Sequence, residues 1–143
     1  MRDVHRSAIV PYPVDEMFDL VADVEAYPDF LPWCRDASVT SGPGDVVMAS
    51  LVMAQGGLNG RFTTSNRMDR PHRISMELQD GLFRDLRGEW QFLALNDRGC
   101  KIELALSFAF ANRALDMLAG AAFELTCNKL VDVFVKRARE IYG

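Results

Sequence analysis

The stretch KIELALSFAF at residues 101–110 decides the fold of this chain. Large apolar side chains occupy every second position from Ile102 to Phe110, and polar or small residues lie between them. This alternation predicts a strand of an antiparallel sheet, with one face in a core and the other in water. The helical periodicity of residues 112–142 then predicts a long helix, whose apolar stripe contains Leu115, Ala119, Phe123, Cys127, Leu130, Phe134, Ala138 and Ile141.

The apolar side of this helix needs a broad apolar surface to cover it, and the inner face of the predicted sheet is available. Leu118, Ala122, Leu125 and Val133 widen that apolar side, and Asn112 is expected to cap the N-terminus of the helix. One helix over a twisted sheet of about six or seven strands leaves space near the concave centre of the sheet. That space is the candidate pocket, and we expect Leu118 to bridge it.

Further strands are predicted upstream of the deciding stretch. Period-two patterns recur at residues 73–79 and 85–92, residues 2–10 predict a first strand, and a short helix is expected after Pro13. Turn signals divide residues 34–110, namely Gly42-Pro43-Gly44-Asp45, Gly56-Gly57, Arg70-Pro71-His72 and Asn96-Asp97-Arg98-Gly99. The chain is therefore predicted to be one α+β domain, residues 1–143, with a curved antiparallel sheet closed by a long C-terminal helix.

Composition limits the classes of function. The net charge of −4 argues against DNA as a partner, because dedicated nucleic-acid-binding proteins are usually basic. The three cysteines are far apart, which favours a reducing compartment over a disulfide framework. No apolar run is long enough for a transmembrane segment, and residues 1–6 contain no signal-peptide core. We therefore expect a cytoplasmic protein.

The sequence contains few motifs that carry chemistry. His5 and His72 are the only histidines, and neither has a second ligand at metal-binding spacing, so no metal site is expected. No nucleophile elbow or phosphate-binding loop is present, so neither catalytic residues nor a bound cofactor are expected. Two basic clusters, Arg67/Arg70/Arg73 and Lys136/Arg137/Arg139, fit either ordinary surface placement or contact with RNA or an acidic lipid headgroup.

The aromatic residues are more informative, but they leave two alternatives open. Inward-pointing positions include Trp33, Phe62, Phe83, Trp90, Phe92, Phe108, Phe123 and Phe134. These side chains form either an ordinary packed core or the wall of a cavity. Composition alone does not separate the two.

Residues 23–34, DVEAYPDFLPWC, resemble the signature of the coenzyme-Q-binding and RatA-type ribosome-association-toxin family. That family belongs to the START-like, polyketide-cyclase-related superfamily with the helix-grip fold. The resemblance extends over essentially the whole chain, through Ala8-Ile9-Val10-Pro11-Tyr12, Asp80-Gly81-Leu82-Phe83, Gly88-Glu89-Trp90-Gln91-Phe92 and Arg137-Ala138-Arg139-Glu140-Ile141-Tyr142-Gly143. Leu82 departs from the family pattern, which usually has proline there.

The resemblance implies a curved sheet around an internal hydrophobic cavity and two alternative activities. The first is non-enzymatic binding of ubiquinone or a similar polyisoprenoid lipid in support of respiration, with possible transient membrane contact. The second is binding to the large ribosomal subunit, which blocks subunit joining. A polyketide cyclase or dehydratase activity is a weaker alternative.

Residues of the cavity can be assigned on this basis. Thr64 or Asn66 is expected to hold a polar head, and Trp33 is expected to cap the mouth. The full predicted ligand-binding set is Trp33, Phe62, Thr64, Asn66, Phe83, Trp90, Phe92, Phe108, Leu115, Leu118 and Ala122.

Overall fold

A computed structural model describes all residues, 1–143, and shows one sheet of seven antiparallel strands. Its strands are β1 (Arg2–Val10), β2 (Cys34–Ser41), β3 (Val46–Gln55), β4 (Leu58–Asp69), β5 (Arg73–Gly81), β6 (Phe83–Ala94) and β7 (Cys100–Phe110). Their spatial order is β1-β7-β6-β5-β4-β3-β2, so the first strand pairs with the last. The strands that the alternation predicts at residues 2–10 and 101–110 are confirmed, as is the α+β helix-grip architecture.

The helices lie on one side of this sheet. After β1 come α1 (Val14–Ala22) and a short 3₁₀ helix (Val24–Asp29), which match the predicted short helix and following turn. The C-terminal helix consists of α2 (Arg113–Leu115), a π-helical segment (Asp116–Gly120), α3 (Ala121–Asn128) and α4 (Leu130–Tyr142).

The C-terminal helix differs from the regular helix that the sequence predicts. Asn112 caps it as expected, because its Oδ1 accepts a hydrogen bond from the Leu115 amide at 2.9 Å. The π-helical segment ends at Gly120, where a Cβ would lie only 2.7 Å from Nη2 of Arg2. The helix also changes geometry at Lys129, whose ψ of −2° separates α3 from α4. Neither the π-helical segment nor the change at Lys129 alters the spacing of apolar residues in the sequence, so neither could be predicted from that spacing.

Aromatic packing joins the sheet to the helices. The Phe123 ring lies edge-on to Phe108, with ring centroids 5.2 Å apart, and Phe134 of α4 packs edge-on to Trp90 at 5.2 Å. On α1, Phe18 packs on Phe92 of β6 at 5.5 Å. Edge-to-face pairs of this kind contribute about 0.5–1.5 kcal/mol beyond the burial of their area.

Polar contacts hold segment 113–128 on both of its flanks. On one side the Arg2 guanidinium donates to both carboxylate oxygens of Asp116 at 3.0 Å and to Glu124 at 2.8 Å. On the other side Nε2 of Gln55 donates to the Thr126 hydroxyl at 2.7 Å. The hydrogen bond to Arg2 lowers the pKa of Asp116, and both carboxylates raise the pKa of Arg2. The ion pair between Arg2 and Asp116 therefore persists at neutral pH and is lost only as acid protonates Asp116.

Replacement of Arg2 tests whether these ion pairs hold segment 113–128 in place. Arg2→Gln removes a charged bridge to Asp116 and Glu124, so we expect faster amide hydrogen exchange in segment 113–128 and little change in the sheet. His5→Gln is the control, because His5 lies on the same strand and its side chain contacts Glu103 of β7, outside segment 113–128. Equal exchange rates in the two variants would contradict the role of Arg2.

Candidate ligand cavity

An interior cavity of about 80 Å³ lies between the concave face of the sheet and the C-terminal helix. Its wall is apolar apart from two residues of β4, Thr64 and Asn66. The apolar lining residues are Val24, Tyr27, Leu31, Trp33, Ala49, Leu51, Phe62, Met76, Leu86, Trp90, Leu104, Leu106, Phe123, Cys127, Leu130 and Phe134. The sheet and helix thus enclose a hollow rather than a fully packed core.

The two polar residues form one polar corner of this cavity. The alternation of β4 turns Phe62, Thr64 and Asn66 to the same inner face, and all three are buried. The Thr64 hydroxyl donates to Oδ1 of Asn66 at 2.7 Å. Nδ2 of Asn66 makes no hydrogen bond to another protein atom. It is an unpaired donor on an apolar wall, which suits a ligand that carries a carbonyl oxygen.

Two titratable groups also line the cavity. Burial raises the pKa of Tyr27, whose hydroxyl donates a hydrogen bond to the Val21 carbonyl. Burial likewise raises the pKa of the Cys127 thiol to about 12. Both groups are therefore neutral at neutral pH, so the wall provides apolar contact and hydrogen bonding.

A surface cleft of about 280 Å³ adjoins the cavity. Leu31, Trp33 and Leu130 line both spaces, and Lys129 lies at the outer cleft only. The Trp33 ring is held edge-on to Phe123, with centroids 5.5 Å apart. Trp33 thus separates the cavity from the cleft, which is the position of the predicted mouth; its capping role stays a prediction.

The structure brings only part of the predicted ligand-binding set to the cavity. Trp33, Phe62, Thr64, Asn66 and Trp90 line it. The remaining aromatic members of the set are buried in the aromatic packing outside the cavity wall; they are Phe83, Phe92 and Phe108. Leu115 is half-buried and also lies outside the wall.

The placement of Leu118 and Ala122 in the cavity was wrong. Both are exposed, Leu118 with 58% of its surface accessible. The apolar side of the C-terminal helix is wider than the surface that the sheet covers, and periodicity does not say which part of it turns inward. The structure turns Ala119, Phe123 and Cys127 inward.

Several lining residues were not predicted from the sequence. They lie on the 3₁₀ helix and the loop that follows it, and on β3, β5, β6 and β7. For β7 a signal existed, because Leu104 and Leu106 alternate on the same face as Phe108. Tyr27 gave no comparable signal, since it lies in a short irregular segment.

The basic clusters are partly neutralised by ion pairs. Arg70 binds both carboxylate oxygens of Asp19, at 3.0 and 2.9 Å, and Arg73 lies 3.2 Å from Glu89. The third member, Arg67, makes no ion pair.

In the helical cluster, the Arg137 guanidinium lies 5.0 Å from the Phe30 ring centroid and 3.6 Å from a Glu140 oxygen. Lys136 and Arg139 are exposed and unpaired. The two cations of this cluster that make no ion pair, Lys136 and Arg139, therefore both lie on α4.

The fold and the cavity define a helix-grip protein with an apolar interior site, and comparison with known proteins gives its family. The sequence profile described as "Polyketide cyclase / dehydrase and lipid transport" matches residues 10–135. The chain belongs to this START-like family.

Two relatives and two solved structures are informative. The ribosome association toxin RatA of Pseudomonas aeruginosa is 42% identical, and the alignment covers 98% of this chain and 97% of the relative. The mitochondrial coenzyme Q-binding protein COQ10 homolog B of Xenopus laevis is 29% identical over 96% of this chain and 58% of its own length.

Among the solved structures, the Streptomyces Zhui aromatase/cyclase has a TM-score of 0.81 at 18% identity and covers 99% of this chain and 96% of its own. A START superfamily protein of Mycobacterium smegmatis has a TM-score of 0.76 at 19% identity, with coverage of 97% and 98%. At these identities the likeness shows the fold alone.

None of the helices combines the length and the apolar character needed to cross a lipid bilayer. Side chains of His, Cys, Asp and Glu do not converge in a group of three or more that could hold a metal ion.

The position of Trp33 between cavity and cleft leads to a test. Trp90→Ala should lower the free energy of unfolding by about 3–5 kcal/mol, as for other core aromatics. Trp33→Ala should cost less, because the space it leaves opens to the cleft and can be hydrated, and it should speed ligand release. Urea unfolding of both variants measures the difference. Equal losses of stability would make Trp33 an ordinary core residue.

Proposed function

We propose that the protein binds, without catalysis, a hydrophobic molecule with a carbonyl-bearing head, such as ubiquinone or a similar polyisoprenoid lipid, in support of respiration. The observation that carries this proposal is the polar corner formed by Thr64 and Asn66 in an otherwise apolar cavity. A quinone carbonyl would accept a hydrogen bond from Nδ2 of Asn66. The description of one relative as a coenzyme Q-binding protein supports the same ligand class.

The tail of such a ligand would leave the cavity past Trp33 and Leu130 and lie in the surface cleft. Each methylene that it buries contributes about 0.8 kcal/mol. The cavity of about 80 Å³ is roughly half as large as an apolar cavity of about 150 Å³ that holds benzene. A quinone head would therefore bind only as neighbouring side chains move. Met76 and Leu130 are suited to this, because both are half-buried and methionine is flexible.

The tryptophans provide a direct binding assay. Both tryptophans of the chain line the cavity, so a short-chain ubiquinone bound there should quench most of the intrinsic fluorescence. The double variant Thr64→Val/Asn66→Leu removes the polar corner without leaving an unpaired partner. We expect it to fold normally and to bind the quinone about tenfold more weakly, the value of one hydrogen bond.

A ligand without carbonyl groups is the control for this assay. An apolar fluorescent probe of similar size should bind the double variant at least as well as the unchanged protein, because the wall has become wholly apolar. Equal quinone affinity in the two proteins would contradict the role of the polar corner. Absence of quenching at all quinone concentrations would contradict quinone binding itself.

Ribosome association is the second candidate function. It is favoured by the identity of 42% over almost the full length of both chains to a protein named ribosome association toxin. The exposed cations of α4, Lys136 and Arg139, would supply the contact with ribosomal RNA, since neither is held by a carboxylate. Binding to the large subunit at that surface would block subunit joining.

Sucrose-gradient sedimentation tests this candidate. Excess protein should shift ribosomes toward free subunits, and high salt should reverse the shift because phosphate contacts are screened. Lys136→Glu/Arg139→Glu should abolish the shift. The control Arg84→Glu/Arg98→Glu makes the same change of charge at exposed positions elsewhere and should leave the shift intact. An unchanged gradient at high protein concentration would contradict ribosome association.

A further inference from the structure

Segment 113–128 of the C-terminal helix carries an apolar face that points away from the core. We call it the apolar outer face; it consists of Ala114, Met117, Leu118, Ala121, Ala122 and Leu125. Met117 is 81% exposed, and Leu118 and Leu125 are each 58% exposed. Isolated exposed apolar residues are ordinary, but these six recur at helical spacing and form one continuous stripe.

The fold prevents this face from turning inward. Phe123 and Cys127, on the opposite side of the same helix, are buried against the sheet. Arg2 fastens one flank through Asp116 and Glu124, as described above. Rotation of the segment would break these ion pairs and expose the Phe123 ring. The fold therefore fixes the outward orientation of the apolar outer face.

Three cations, Arg2, Arg113 and Lys129, face the two carboxylates Asp116 and Glu124, so the charge around the apolar outer face is positive on balance as far as Lys129. Arg113 at one end and Lys129 at the other are exposed and make no ion pair. The two carboxylates of the segment, Asp116 and Glu124, are held by Arg2. Although the whole chain has a charge of −4, an apolar stripe flanked by free cations is locally complementary to an anionic lipid surface.

We propose that the apolar outer face docks flat on an anionic lipid bilayer, with Met117, Leu118 and Leu125 inserted at the boundary between headgroups and acyl chains. Segment 113–128 is about 24 Å long at 1.5 Å per residue, enough for an interfacial helix. Arg113 and Lys129 then contact lipid phosphates. This inference rests on the proposed lipid-binding function and names where the ligand is acquired.

The position of the surface cleft agrees with this docking mode. Thr126 and Lys129 line the cleft, and both lie at the end of the docked segment. Leu130, the next residue, lines both the cleft and the interior cavity. A docked molecule therefore holds its cavity mouth next to the bilayer, and a polyisoprenoid tail passes between them without crossing a wide layer of water.

Vesicle co-sedimentation tests the proposal. The unchanged protein should sediment with vesicles of equal parts phosphatidylglycerol and phosphatidylcholine. Met117→Gln/Leu118→Gln/Leu125→Gln should reduce the bound fraction more than about tenfold, because the inserted area is lost. Arg113→Glu/Lys129→Glu should reduce binding to these vesicles but not to vesicles of phosphatidylcholine alone. Ile9→Gln/Leu93→Gln is the control, since these exposed residues lie on the sheet, at 74% and 60% exposure.

Several outcomes would overturn docking on a bilayer. They are absence of vesicle binding by the unchanged protein, equal loss in the control, and a concentration-dependent dimer that the triple variant abolishes, which would assign the face to a second copy of the chain. Quinone quenching separates this failure from failure of the proposed function. If quenching persists while vesicle binding is absent, only the docking inference fails; if quenching is absent too, the lipid-binding proposal fails with it.

Discussion

The antiparallel pairing of β1 with β7 determines where the C-terminal helix lies. It places Arg2 opposite Phe108, and from there the guanidinium reaches Asp116 and Glu124 across the helix. The Phe123 ring, which packs edge-on to Trp33 and Phe108, directs its side of the helix inward. The bonds that the Arg2 guanidinium makes to two carboxylates are directional and hold the helix in the same rotation. The inward direction of Phe123 and the outward direction of Leu118 are therefore set together.

Much of the fold could be predicted from sequence, because its signals are local. Alternation at residues 101–110 and the cap at Asn112 depend on neighbouring residues alone, and both were confirmed. The orientation of Leu118 could not be predicted in the same way. Periodicity shows that a helix is apolar on one side, but burial is decided by partners far along the chain, here Arg2 at a separation of 114 residues from Asp116.

The candidate site, like the fold, could be predicted from the sequence only in part. The period of β4 puts Thr64 and Asn66 on one face, so both could be predicted from the sequence. Their mutual hydrogen bond, and the donor that it leaves unpaired, depend on side-chain geometry that the pattern does not contain. The basic clusters mislead for a similar reason. Arg70 looks free in the sequence, but its partner Asp19 lies 51 residues away on α1.

The two candidate functions use different parts of the molecule and so do not exclude each other. A ligand in the cavity contacts the inner sides of the helix, whereas Lys136 and Arg139 face outward on α4. Enlargement of the cavity has to displace part of its wall, and the backbone of the seven-stranded sheet is held by its own ladder of hydrogen bonds. Arg2 and Gln55 hold segment 113–128 on its two flanks, so the flexible side chains of the wall would move before the helix does. Phe134 keeps α4 packed on Trp90. Ligand occupancy would therefore leave the cations of α4 in place.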